Sequence, residues 1–208
     1  MIGPVARRIR LVLHQPDESA ALGTEAAAGP EVPEVEFVAY AEDGRLSGRI
    51  RLNTARLSDM LNDHDEFQLE SVLAEHLPGG GTMVVPELVV TRDDLVLVHM
   101  AGPRGDAARR TRTKPFSVIL RAGPYLVSGD LHSAFGIDPL LYFRRRRPMV
   151  PLTDATIEFN TADGPVREFA GTIVVNRDHL EWVQQVTDRA NAFDLSGLTT
   201  DAAGRRIH

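Results

Sequence analysis

Between Val35 and Val186 the chain is written mainly in short apolar stretches broken by Gly, Pro, Asp and Asn, the pattern of β-strands joined by turns. Val35, Phe37 and Ala39 alternate with Glu36 and Val38, as in a half-buried strand. Asp43-Gly44 predicts a tight hairpin in which glycine supplies a positive φ, with Leu46, Gly48 and Ile50 in the returning strand. Helical spacing is brief. Leu57, Met60 and Leu61 predict a short helix over about 55–62, capped by Asn53 or Thr54. Phe67 to Leu73 reads as a third strand, Gly79-Gly80-Gly81 as a loop, and 83–91 with 95–100 as paired strands closing the unit.

The pattern then starts again. Val89-Val90-Thr91-Arg92-Asp93-Asp94-Leu95-Val96-Leu97-Val98 returns 85 residues later as Val174-Val175-Asn176-Arg177-Asp178-His179-Leu180-Glu181-Trp182-Val183. Six of the ten positions are identical. Upstream, Leu46-Ser47-Gly48-Arg49-Ile50 resembles Val127-Ser128-Gly129-Asp130-Leu131, and Phe37 to Tyr40 resembles Val118 to Arg121, both 81 residues apart. The second helical stretch, Ile137, Leu140 and Leu141, is shorter, bounded by Gly136 and Pro139, and runs into Arg144 to Arg147. A period of this size is far above the roughly 20–50 residues of a solenoid repeat and marks a duplicated domain. The copies should share strand order, with Val89 on Val174 and Leu95 on Leu180. Leu95, Val98, Leu180 and Val183 should all be buried.

The expected plan is an N-terminal strand and flexible segment (1–34), a first β-domain (35–100), a linker (101–114), a second β-domain (115–186) and a tail (187–208). Residues 5–13 carry the extra strand, and 15–34 have almost nothing to bury. The fold class is mainly β with short helices: two tandem, related small β-barrel or bent-sheet units of about five strands and one helix each. Sm-like or SH3-like barrels are the architectural analogy. Units this small bury little surface alone, so a shared interface is expected.

Composition narrows the chemistry. The chain has 208 residues and no cysteine, which removes disulfides, thiolate metal ligands and cysteine catalysis. A net charge of −6 argues against whole-surface binding to nucleic acid. Lys114 is the only lysine among many arginines, a bacterial-type coding bias. The first residues do not form a secretion signal, and no apolar run reaches the roughly 20 residues of a membrane span. The expected location is the cytoplasm.

Arg144, Arg145, Arg146 and Arg147 are the sharpest polar feature and the only candidate ligand site, since guanidinium groups match phosphate oxygens. Asp63-His64-Asp65-Glu66 holds metal-ligand atoms, but consecutive residues rarely converge on one ion, so it reads as a polar turn. Arg92-Asp93 and Arg177-Asp178 read as turns held by an Asp side chain. There is no glycine-rich phosphate loop, nucleophile elbow or His-Glu-x-x-His motif. No catalytic residue, metal or cofactor is assigned.

The expected function is a non-catalytic interaction or scaffold protein that binds a protein partner or itself as a homo-oligomer. The alternatives are a regulatory domain binding a phosphorylated ligand, or less readily nucleic acid, through Arg144 to Arg147, and an enzyme with a site between the two copies.

Overall fold

A computed structural model describes residues 32–102 and 112–187. The strand expected at 5–13 lies outside the described residues, as do most of the segments 15–34, 101–114 and 187–208. Ten strands form one antiparallel sheet: β1 (Glu34–Tyr40), β2 (Gly44–Arg51), β3 (Glu66–His76), β4 (Gly81–Thr91), β5 (Leu97–His99), β6 (Lys114–Ala122), β7 (Tyr125–Ser133), β8 (Met149–Thr161), β9 (Gly164–Asn176) and β10 (Leu180–Gln185). Two seven-residue helices, α1 (Leu57–Asp63) and α2 (Pro139–Arg145), follow β2 and β7. No described helix is long and apolar enough to cross a membrane.

The strand order is β10-β6-β7-β8-β9-β5-β1-β2-β3-β4. Residues 34–99 and 114–185 therefore each contribute five adjacent strands in the order fifth, first, second, third, fourth. Local irregularities recur as well. The β2–β3 register slips between Ser47 and Arg49, and the β7–β8 register slips between Ser128 and Asp130. Opposite each slip stands a non-glycine residue in the left-handed region, Ser71 at φ 53° and Asp154 at φ 48°. The skipped residues are Gly48 and Gly129. A Cβ there would meet the carbonyl oxygens of Glu70 at 3.0 Å and Thr153 at 3.2 Å. Glycine is kept because the bulge brings two backbones together.

The expected pairing of 83–91 with 95–100 does not occur. β5 lies next to β1 and four places from β4, and β10 bears the same relation to β9. On a flat sheet four strand spacings span about 19 Å. The link from Thr91 to Leu97 opens with a 3-10 turn (Arg92–Asp94), which advances only about 2 Å per residue. Each group of five strands must curl to let so short a link reach. The curl stops short of closure, since among the described residues no ladder joins β4 to β5 or β9 to β10.

Each half has an apolar core, and the cores interlock. The first, around Phe37, Leu46, Leu61, Leu69, Leu88 and Val98, also takes in Met149 and Val174 from the second half. The second, around Val118, Tyr125, Phe143, Leu152 and Ile157, takes in Tyr40, Val96 and Leu97 from the first. Leu95 and Val98 are fully buried as expected. Leu180 and Val183 are only half-buried, because β10 is an edge strand with no further strand beside it among the described residues.

Three local expectations are corrected. The β1–β2 hairpin forms with the Ala41 N–H donating to the Gly44 carbonyl at 2.8 Å, but Gly44 does not take a positive φ and simply begins β2. Helix α1 starts from Arg56, which gives no side-chain cap; Thr54 Oγ1 instead donates to the Arg56 carbonyl at 2.8 Å. Helix α2 begins at Pro139, so Ile137, expected in the helical stretch, lies before it, and Asp138 accepts from the Leu141 N–H at 2.8 Å. The helix runs into the arginines as expected, burying Pro139 and Phe143 and leaving Leu141 exposed.

Candidate functional site

The two halves meet along a short ladder. β5 pairs with β9 in the register Leu97–Val175, Val98–Val174 and His99–Ile173. Backbone bonds from Asn176 N to Val96 O (2.9 Å) and Met100 N to Thr172 O (3.0 Å) extend it. Side chains lock one end of the seam, beyond the Leu97–Val175 pair. The Asn62 amide, at the end of α1, accepts from Met149 N at 3.1 Å and donates to Met149 O at 2.9 Å. The Asn176 amide donates to the carbonyls of Arg92 (3.0 Å) and Leu95 (2.9 Å). His179 Nε2 lies 2.7 Å from the Asp93 carbonyl.

The counterparts of the strands that make this seam are β10 and β4, and they are the two ends of the sheet. Both edges carry exposed apolar side chains. Met83 (42 %) and Val84 (76 %) stand on β4, and Trp182 (41 %) stands on β10. Residues 85 positions apart differ in surroundings: Leu97 and Val98 are fully buried, whereas Trp182 is exposed and Val183 half-buried. Val174 is fully buried, whereas Val89 is half-buried. Pro86 sits within β4 and lacks the N–H a ladder needs, so the continuous stretch of that edge is Glu87 to Thr91.

A second polar feature lies at the seam. The Tyr40 hydroxyl donates to Glu168 Oε2 at 3.1 Å, and Tyr40 packs edge-on against Tyr125 and Phe159, with ring centroids 5.3 and 5.5 Å away. The Tyr125 hydroxyl donates to the Ala41 carbonyl at 2.5 Å. Burial pushes both phenols above their ordinary range, with Arg45 working against it at Tyr40. His99 Nε2 lies 3.8 Å from Glu168 Oε1, too far for a hydrogen bond, and is buried without another hydrogen-bond partner among the described residues. Burial lowers the His99 pKa; Glu168 opposes that shift and Arg45 reinforces it.

The four arginines are given different partners. Arg144 and Arg145 end α2 and are exposed. Arg146 stacks over the Tyr142 ring at 4.6 Å and donates to its hydroxyl at 3.0 Å. Arg147 forms an ion pair with Asp63 across the seam. The 63–66 stretch is likewise divided, with Asp65 paired to Arg92 at 2.6 Å and His64 Nε2 3.1 Å from the Asn53 amide. The turn at 92–94 is held by Thr91 Oγ1 donating to Asp94 at 2.7 Å, and that at 177–179 by Asn176 accepting from the Asp178 N–H at 3.1 Å. The Asp93 side chain is not the staple of the first turn, nor that of Asp178 of the second.

Sequence reasoning singled out the matched stretches 89–98 and 174–183 but missed the edges, because it paired β4 with β5. It also missed Tyr40, His99 and Glu168, which are far apart in the chain and meet only once the halves dock. Comparison with protein-family models, with curated proteins and with solved structures finds no match.

Proposed function

We propose that this chain is a non-catalytic scaffold or interaction protein, built from two copies of one small Sm-like or SH3-like bent-sheet unit, that joins proteins through its two open sheet edges. The observation that carries the reading is the seam. One copy of the unit already binds the other by laying β5 against β9, and the same two kinds of strand, β10 and β4, are presented outward. An open edge offers unpaired N–H and C=O groups to an incoming strand, with alternate side chains giving selectivity. The repeated strand order, register slips and left-handed Ser71 and Asp154 support descent from one duplicated unit.

A photo-reactive amino acid placed at Glu87 or Trp182, both exposed on the edge strands, in cells that express the protein, tests this. Covalent adducts are expected from both edge positions and not from Glu36, exposed on the central strand β1. Adducts from none of the three, or from Glu36 alone, would sink the interaction reading.

One observation favours a second reading, an enzyme with its site between the halves. His99, Glu168 and Tyr40 gather titratable groups at the seam, a common trait of acid–base sites. Small molecules that shift the His99 ring resonances in NMR would support it. An unchanged His99 spectrum across a mixture of metabolites would count against it.

A further inference from the structure

We infer that the partner at both edges is a second copy of this chain, joined head to tail, with β10 of one copy antiparallel to β4 of the next. The inference rests on the edge-interaction reading above and names its occupant. The internal seam supplies the register. Leu97–Val175, Val98–Val174 and His99–Ile173 become Trp182–Val90, Val183–Val89 and Gln184–Leu88 when each residue is replaced by its counterpart 85 positions away. This register uses β4 only beyond Pro86, just as the internal seam uses only the last part of β9.

Three further features fit a second copy. Val174, from the second half, is buried in the first core, so it caps a neighbouring unit and not its own. Its counterpart Val89 is half-buried and belongs to no core cluster among the described residues, while Val183 lies half-covered against the second core, where such a cap belongs. Next, α1 reaches across the seam to β8 through Asn62, whereas α2, beside β7 and β10, leaves Leu141 in its first turn exposed, as is Ile137 just before it. Last, charge is complementary. The end of α2 carries exposed Arg144 and Arg145, and the start of β3, which a neighbour would bring to it, carries Asp65 and Glu66. The opposite charges of these two stretches thus belong to one contact between copies. Such a contact is heterologous: each added copy leaves one edge of each kind open until a ring closes.

The chain has no cysteine, which gives a clean cross-linking test. Val89→Cys and Val183→Cys chains are made separately, checked for unchanged unfolding midpoints, and mixed under mild oxidation. Directly opposed residues of an antiparallel pair lie within disulfide reach. Disulfide-linked dimers are expected in the mixture, not in either variant alone, and not when Gln185→Cys replaces Val183→Cys. The unmodified chain should sediment above its monomer mass of 22.8 kDa, increasingly so at higher concentration. Linkage of Val183→Cys to itself would overturn the head-to-tail arrangement. Monomer mass at every concentration with no linked product would overturn self-association. If photo-adducts at Glu87 and Trp182 then contain another protein, the interaction reading stands and the second copy does not.

Discussion

Val98 on β5 and Val174 on β9 sit opposite each other across the ladder that joins the halves, and both are fully buried. Their counterparts, Val183 and Val89, stand on the two outermost strands and are each only half-covered. One side-chain pair is therefore satisfied inside the chain and left half-made at its ends. Replacing Val98 with lysine places a charge in the first core and is expected to remove the folding transition, or to lower it severely. Val183→Lys should leave a folded chain. Thermal unfolding followed by circular dichroism distinguishes the two.

A parallel contrast holds for the leucines of the repeat. Leu95 is fully buried, so Leu95→Ala should cost about 2–5 kcal/mol through lost burial and a residual cavity. Leu180, at the same place in the second repeat, is half-buried, and Leu180→Ala should cost clearly less in urea unfolding at low protein concentration. Equal costs would mean that Leu180 is covered in the monomer.

The bulges offer another matched pair. Gly48→Ala and Gly129→Ala both push a methyl group towards a carbonyl oxygen, at 3.0 and 3.2 Å. Each is expected to destabilise by about 1–3 kcal/mol, the range for overpacking, with Gly48 the more sensitive. A neutral Gly48→Ala in chemical denaturation would contradict the close approach of β2 to β3.

His99 gives a pH dependence. Its pKa in the folded chain is depressed below the ordinary 6.5, mainly by burial. The unfolded chain then binds the extra proton more readily, so stability rises with pH across the interval between the two pKa values. His99 should not weaken the fold above pH 6.5, and its stability should be lost as pH falls from there through the folded pKa. Arg45, Tyr40 and Glu168 face the ring and are kept intact in the comparison. The stability of wild type relative to His99→Asn should be constant above neutrality and fall in mildly acid solution. A flat difference, measured by urea unfolding from about pH 5 to about pH 8, would contradict a buried neutral imidazole.

The ion pair between Arg147 and Asp63 joins the halves but is exposed on both sides, 67 % and 46 %. A double-mutant cycle with alanine at both positions should give a coupling below about 1 kcal/mol, weaker still at high salt. A larger coupling would make this contact, and not the β5–β9 ladder, the main tie across the seam.

The β-rich class was legible because strands alternate with period two over stretches such as Val35 to Ala39 and Leu46 to Ile50. The match of Val89 to Val98 with Val174 to Val183 was legible because an 85-residue offset needs no structure to see. Strand partnership was not legible. Val89 and Leu95 are near neighbours in sequence, yet their strands lie at opposite ends of a five-strand group, and only the curl of the sheet reconciles the two. Helix α2 was legible from Leu140 into the arginines, but its first residue is Pro139, whose fixed φ suits that position, so Ile137 falls outside it. The Arg144 to Arg147 run looked like one anion site, but stacking on Tyr142 and pairing with Asp63 draw Arg146 and Arg147 to separate partners.

The most direct measurement is backbone amide hydrogen exchange as a function of protein concentration, read over Glu87–Thr91 and Leu180–Gln185. Protection of both segments is expected to rise together as the concentration increases, while that of Gly81 to Val85, on the far side of Pro86, does not change with concentration. Exchange in both segments that is fast and independent of concentration would contradict the claim that these edges repeat, between copies, the contact that β5 and β9 make within one.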